Sequence, residues 1–258
     1  MNEFRDPRDY RLFRSSQAQE TIDALIETHF LDMRWIGASL SRLGALPLME
    51  EPIGSGQKVT TGNYSVRALD GFFITGSGVD KCNPKKQGLV YVEHVDHETG
   101  TMTVAGNSRP SREVLIHDMI YHTFPWVHVV LHTHDECALQ YDNKSKRTDR
   151  PIFFAHAKDA EEVVSKLQDA NYVILPEHGQ FAIGESVGSA LNEVWVHHEY
   201  AKSRIPFERI MKTVIGLSYA AMIVLTAAGL ADVVQHREAL NGKLPIPMEV
   251  SPIHYPDQ

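Results

Sequence analysis

Cysteine is scarce in this chain of 258 residues: Cys82 and Cys137 are the only two. Two cysteines cannot build a disulfide framework, so a reducing cytoplasm is the expected setting. Positive charge is also short, with 25 Lys and Arg against 33 Asp and Glu and a net charge of −8. A nucleic-acid partner would want a basic stripe, and none is expected. Met1 to Arg14 is charged and holds no apolar core, so it does not read as a secretory signal. Long uncharged runs are nearly absent; Thr213 to Ala231 is the exception, and it is close to the length of a bilayer span. That run is Ala-rich, carries Gly216, Ser218, Tyr219, Thr226 and Gly229, and has no basic cluster marking a cytoplasmic flank. A helix apolar all round can instead be buried in a core or between subunits. The expectation is an interface helix and no membrane partner.

What remains is ordinary globular sequence, 43% hydrophobic and 22% charged, with enough apolar material for a sizeable core. From about Gln17 to Leu43, Ile22, Leu25, Ile26, Phe30, Met33, Ile36 and Leu40 recur at helical spacing, which predicts one or two amphipathic helices. Gly44 to Lys58 has the punctuation of a loop. Thr60 to Arg67 leads through the hairpin signal Asp70-Gly71 into Phe72 to Thr75. With Leu89 to Val95 and Thr101 to Val104, these runs predict an antiparallel meander. Pro110 predicts the opening of a helix with Ser111, Arg112 and Glu113 in its first turn. Strands at Val127–Leu131, Tyr172–Leu175 and Phe181–Ile183, and helices at about Asp159–Gln168 and Ser186–Lys202, follow around a polar loop at Asp142–Arg150. The pattern reads as one domain over 1–258, poorly ordered at 1–16, with a helical extension and tail at 206–258.

The chemistry gathers at Trp126-Val127-His128-Val129-Val130-Leu131-His132-Thr133-His134-Asp135-Glu136, where a β-branched run ends in two histidines and two carboxylates. If the extended conformation continues, His132 and His134 share one face, because side chains alternate with period two. Two such imidazoles can share an ion. His178, after the short apolar run Tyr172 to Leu175 and Pro176, is the best third ligand. The bland alternative is chance, in a chain with 14 histidines.

Other stretches stand around this one: Gly62-Asn63-Tyr64-Ser65-Val66-Arg67, Thr75-Gly76-Ser77-Gly78-Val79-Asp80, Pro110-Ser111-Arg112-Glu113, His117, Ile120-Tyr121, His178-Gly179 and Gly184. Taken in order with His132-Thr133-His134, they resemble the class II aldolase/adducin family of metal-dependent sugar-phosphate aldolases and epimerases. The resemblance covers roughly residues 20 to 205. It implies an α/β fold: three α/β/α layers with a mostly antiparallel central sheet. It further implies a divalent ion on His132, His134 and His178, most often Zn²⁺, with Mn²⁺, Fe²⁺ and Co²⁺ also suited to imidazole. Glu113 matches the family's acid/base carboxylate. Asn63, Thr75, Gly76 and Ser111 match residues lining a phosphate pocket, and Ser65 is counted with them. Arg112 departs from the pattern, standing where a small hydroxyl residue is frequent; it suits a phosphate or a substrate carboxylate. His117, His122, His128, His156, His197 and His198 read as structural, while Tyr141, Asp142 and Tyr255 are candidates for completing a neighbouring subunit's site. The implied function is a lyase of the aldolase type, cleaving a small phosphorylated keto-sugar through a metal-stabilised enediolate in a homo-oligomer, a tetramer for preference. Decarboxylation, dehydration and 4-epimerisation are same-fold alternatives, and a non-catalytic adducin-like interaction module is the alternative of another class.

Overall fold

Short β-branched runs, broken by Gly and Asp turns, assemble here into a sheet whose two faces are both covered. The structure, a computed structural model, describes residues 11–14, 19–50, 58–99, 101–152 and 157–206. The chain divides into two compact units, 1–204 and 205–258. The expected C-terminal extension, with Thr213 to Ala231 and Tyr255, lies outside the described residues, as does His156.

In chain order the elements are β1 (Arg11–Arg14), α1 (Gln19–Arg42), β2 (Leu48–Glu50), β3 (Lys58–Thr60), β4 (Asn63–Ala68) and β5 (Gly71–Thr75). Then come β6 (Leu89–Asp96), β7 (Thr101–Ala105), α2 (Val114–Thr123), β8 (Val129–Thr133), α3 (Glu136–Tyr141) and β9 (Lys146–Arg147). The last are α4 (Ala157–Leu167), β10 (Tyr172–Leu175), β11 (Gly179–Gly184) and α5 (Val187–Ser203). Strands β2 and β3 pair alone; the others form one sheet in the order β1-β7-β6-β5-β4-β8-β11-β10-β9. Only the edge pairs β1–β7 and β9–β10 are parallel, so the sheet is mostly antiparallel, as expected.

The sequence of β5, Gly-Phe-Phe-Ile-Thr, explains the layering. All five residues are buried, a pattern that requires cover on both faces. Phe72 and Ile74 join Val114, Leu115 and Ile120 of α2 and Ala160, Val163 and Leu167 of α4 in one core. Phe73 turns the other way, with Tyr64 and Leu131, to meet Met33, Ile36 and Leu40 of α1 and Ala190, Leu191 and Val194 of α5. Each large apolar side chain buried this way contributes about 1.5–3 kcal/mol, and the result is the three-layer α/β/α arrangement.

Five expectations change. The loop expected at 44–58 holds the strand β2 and the first residue of β3. Arg11–Arg14, placed in a poorly ordered terminus, is a strand paired with Thr101–Val104; its partner is distant in sequence, so no local pattern announces it. The helix expected at Pro110 starts at Val114, with Glu113 as its N-cap residue. Pro110 is instead bridged to Gly76, which holds it against the sheet and lays Ser111–Glu113 beside β4. The polar loop 142–150 contains the two-residue strand β9. Helix α3 was not anticipated, although Asp135, seen only as a carboxylate near the histidines, caps it by accepting from the N–H groups of Cys137 and Ala138.

Candidate active site

Three antiparallel strands carry the site. β8 lies between β4 and β11, pairing His132 with Asn63 on one side and with Phe181 on the other. His134 stands one residue past the end of β8, where its N–H donates to the Ala45 carbonyl at 2.9 Å. His178 arrives on the tight turn between β10 and β11. There Glu177 takes φ 62° and the His178 N–H returns to Leu175 O at 3.1 Å.

The three rings meet pairwise with centroids 4.9 Å apart, and their ligand nitrogens lie within 4.8 Å of one another. Nitrogens bound tetrahedrally to one ion at about 2.1 Å stand about 3.4 Å apart. The Nε2 atoms of His132 and His134, at 3.1 Å, are already near that spacing. His132 Nδ1 donates to the Gln180 carbonyl at 3.0 Å, so its Nε2 holds the lone pair. Burial, reinforced by the neighbouring imidazoles, holds the His132 pKa well below its usual value. Burial, with His178 and Lys81 adding to it, pushes His134 down to about 3. Neutral imidazoles with converging lone pairs are the form a divalent ion takes up.

Two glycines keep the cluster open. A Cβ on Gly179 would stand 2.3 Å from Thr133 O and 3.1 Å and 3.2 Å from carbons of the His134 and His132 rings. At Gly62, φ is +71° and a Cβ would meet His132 O at 2.5 Å. Gln180 fastens the other side. Its side-chain Oε1 accepts from Thr133 Oγ1 at 2.9 Å and from Asp135 N at 3.0 Å, while Nε2 donates to Asp135 O at 2.8 Å. Both neighbours of His134 are thereby tied to one fully buried amide.

Glu113 is tied to β4, the strand paired with β8. Its Oε2 accepts from Asn63 Nδ2 at 2.8 Å and from Ser111 Oγ at 3.0 Å. Asn63, Ser111 and Glu113 are therefore brought together, with Asn63 opposite His132 on the neighbouring strand. Ser65, Thr75 and the Gly76 amide are engaged in other contacts. Ser65 shares a face with Asn63 but sits one pleat deeper, fully buried, its hydroxyl 2.6 Å from His117 Nδ1 and 2.8 Å from the Tyr121 hydroxyl; it ties β4 to α2. Thr75 is also fully buried, and its Oγ1 accepts from Tyr64 N. The Gly76 and Ser77 N–H groups donate to Gly88 O and Arg109 O, both at 2.8 Å, so these two amides are already engaged by carbonyls. The exposed part of that turn is Ser77–Gly78. Arg112 is half-buried and makes no ion pair among the described residues.

Among the other histidines, His117 is fully buried, with its pKa pushed down to about 3 by that burial. His197 stacks on Tyr172 at 4.0 Å and meets Asp142 at 2.7 Å, and His198 meets Asp135 at 2.7 Å. Asp142 itself is fully buried and holds the Lys144 and Ser145 amides as well, so its carboxylate is engaged inside its own subunit. Two residues near the histidines went unnoticed in the sequence. Gln180 looks like any strand residue, and Lys81 looks like a surface charge, yet it is 5% exposed.

Residues 56–205 match the class II aldolase and adducin N-terminal domain family, and the chain belongs to it. An L-fuculose phosphate aldolase from Haemophilus influenzae is 30% identical over 159 residues, covering 54% of this chain and 68% of that one. A methylthioribulose-1-phosphate dehydratase from Citrobacter koseri is 35% identical over 111 residues, 43% of each chain. Among solved structures, a sugar-phosphate aldolase from Thermotoga maritima superposes with a TM-score of 0.55 at 15% identity, covering 75% of this chain and 97% of that one. An L-fuculose-1-phosphate aldolase from Thermus thermophilus gives 0.51 at 22%, covering 69% and 93%. At these identities the superpositions establish the fold.

Proposed function

We propose that this chain is a metal-dependent carbon–carbon lyase of the aldolase type, acting on a small phosphorylated keto-sugar. The observation that carries this reading is the convergence of three imidazoles, His132, His134 and His178, next to Asn63, whose side chain binds Glu113. A divalent ion on those nitrogens, Zn²⁺ first and Mn²⁺, Fe²⁺ or Co²⁺ next, would act as a Lewis acid toward negative charge on substrate oxygens. Glu113 moves the proton. Asn63 and Ser111 bind its Oε2 and fix its orientation, while its other oxygen takes no hydrogen bond among the described residues, which leaves it for the substrate. Ser77, Gly78 and Arg112 stand ready for the phosphate. Similarity to the fuculose phosphate aldolase supports this choice within the family. An intact histidine set with a positioned carboxylate also favours an enzyme over an interaction module, which needs neither.

Dehydration is the second reading, favoured by the 35% identity to a methylthioribulose-1-phosphate dehydratase. One experiment separates them. The full chain, loaded with Zn²⁺ or Mn²⁺, is incubated with L-fuculose 1-phosphate and with methylthioribulose 1-phosphate, using His134→Ala as control. Two carbonyl fragments from the first substrate are expected, at a rate that the control abolishes together with bound metal. Water loss without cleavage moves the assignment to dehydratase; no turnover of either substrate by metal-loaded protein overturns both.

A further inference from the structure

Lys81 is the only lysine or arginine buried among the described residues, and its position is fixed three ways. Its N–H donates to Thr60 Oγ1 at 2.8 Å, its carbonyl accepts from the Tyr64 hydroxyl at 2.7 Å, and its Nζ donates to Thr60 O at 2.8 Å. An ammonium has three N–H donors, and that one carbonyl is the sole acceptor Nζ finds among the described residues. It forms no ion pair there. A buried charge so poorly matched costs free energy that a surface lysine would avoid.

Its surroundings suggest what the cost serves. Thr60 leads directly into Gly62, which packs on the His132 carbonyl, and Asn63, which binds Glu113. Burial lowers the Lys81 pKa, and the Glu113 carboxylate is the strongest influence in the opposite direction. With a divalent ion on three neutral imidazoles, the charge of Lys81 offsets that of Glu113. The ion's own double charge then stays unneutralised, which calls for an anionic ligand.

We propose that Lys81 is a ligand-binding residue of this site, its ammonium receiving an anionic oxygen of the bound substrate. This rests on the metal-centred reading above but does not depend on which reaction follows. The oxygen belongs either to the phosphate group or to the end of the substrate that meets the ion, and two probes separate these. Inorganic phosphate reports the first; glycolate, a small hydroxy acid that can offer two adjacent oxygens to an ion, reports the second.

Calorimetric titration of metal-loaded full-length protein with each probe, for wild type and Lys81→Met, is the test. Loss of one charge-assisted hydrogen bond predicts about a 10- to 100-fold weaker Kd for one of the probes, with metal content unchanged. A fall for phosphate assigns Lys81 to the phosphate group, and a fall for glycolate assigns it to the reacting end. Equal affinities in both proteins for both probes, or a wild type that binds neither at millimolar concentration, overturns the proposal. Should Lys81→Met fail to fold, Lys81→Gln keeps a donor for Thr60 O without the charge, and the same ratio is expected of it. Absence of sugar-phosphate turnover would count against the proposed activity while leaving the probe affinities to decide this point.

Discussion

At the residue scale, Gln180 decides which nitrogen His132 presents. Its carbonyl takes the Nδ1 proton, and its side chain ties Thr133 and Asp135 on either side of His134. Gln180→Leu keeps the carbonyl and removes the ties. Partners that orient metal ligands are worth about 10- to 100-fold in metal affinity, and chelator competition should show a loss in that range with the fold retained. Glu113→Gln probes the other half of the site. It preserves size and cannot act as a base, so kcat should fall about 10²- to 10⁴-fold while elemental analysis finds the metal still bound. A near-normal kcat would require another base. The same-face placement of His132 and His134 was legible, because period-two alternation is local. The engagement of the Gly76 and Ser77 amides was not, because the carbonyls that accept from them belong to Gly88 and Arg109, and nothing in the motif names them.

At the scale of elements, legibility followed the same division. β10 and α5 carry their own signals, an apolar run closed by Pro176 and a Ser186 cap with Ser189 completing the capping box. The start of α2 is set by a long-range bridge at Pro110, and the strand β1 by a distant edge. Helix α2 also brings a titration into the core. His117 is seated on Ser65 against Phe181, and its buried ring resists protonation, with a pKa of about 3 against 6.5. Because the unfolded chain binds that proton more readily, His117 contributes stability present above about pH 6.5 and lost as pH falls toward 3. In metal-free protein His134 acts in the same direction. Urea unfolding should therefore give a lower stability at pH 5 than at pH 7, with a shallower dependence in His117→Gln; a flat wild-type profile would contradict this.

For the molecule as a whole, the three layers could be anticipated from the sequence while the surface could not. Leu31 and Trp35 on α1 are 73% and 54% exposed, and Trp195 and Val196 on α5 are 53% and 45% exposed. Large apolar side chains left in water suit a subunit contact, and we propose a homo-oligomer, preferably a tetramer. Light scattering at micromolar concentration should give a multiple of the chain mass, reduced by Trp35→Glu with Trp195→Glu; a wild-type monomer would refute it. The pairing of β8 with β11 has one further consequence. A slip of one residue between strands turns every side chain to the opposite face, carrying Gln180 away from Thr133 and the His178 turn away from His132. Only a chain paired in the native register brings the three nitrogens together. On the metal-centred reading, metal retention would report correct threading, and a chelating resin or a metal-sensitive dye would separate natively paired molecules from compact but misregistered ones.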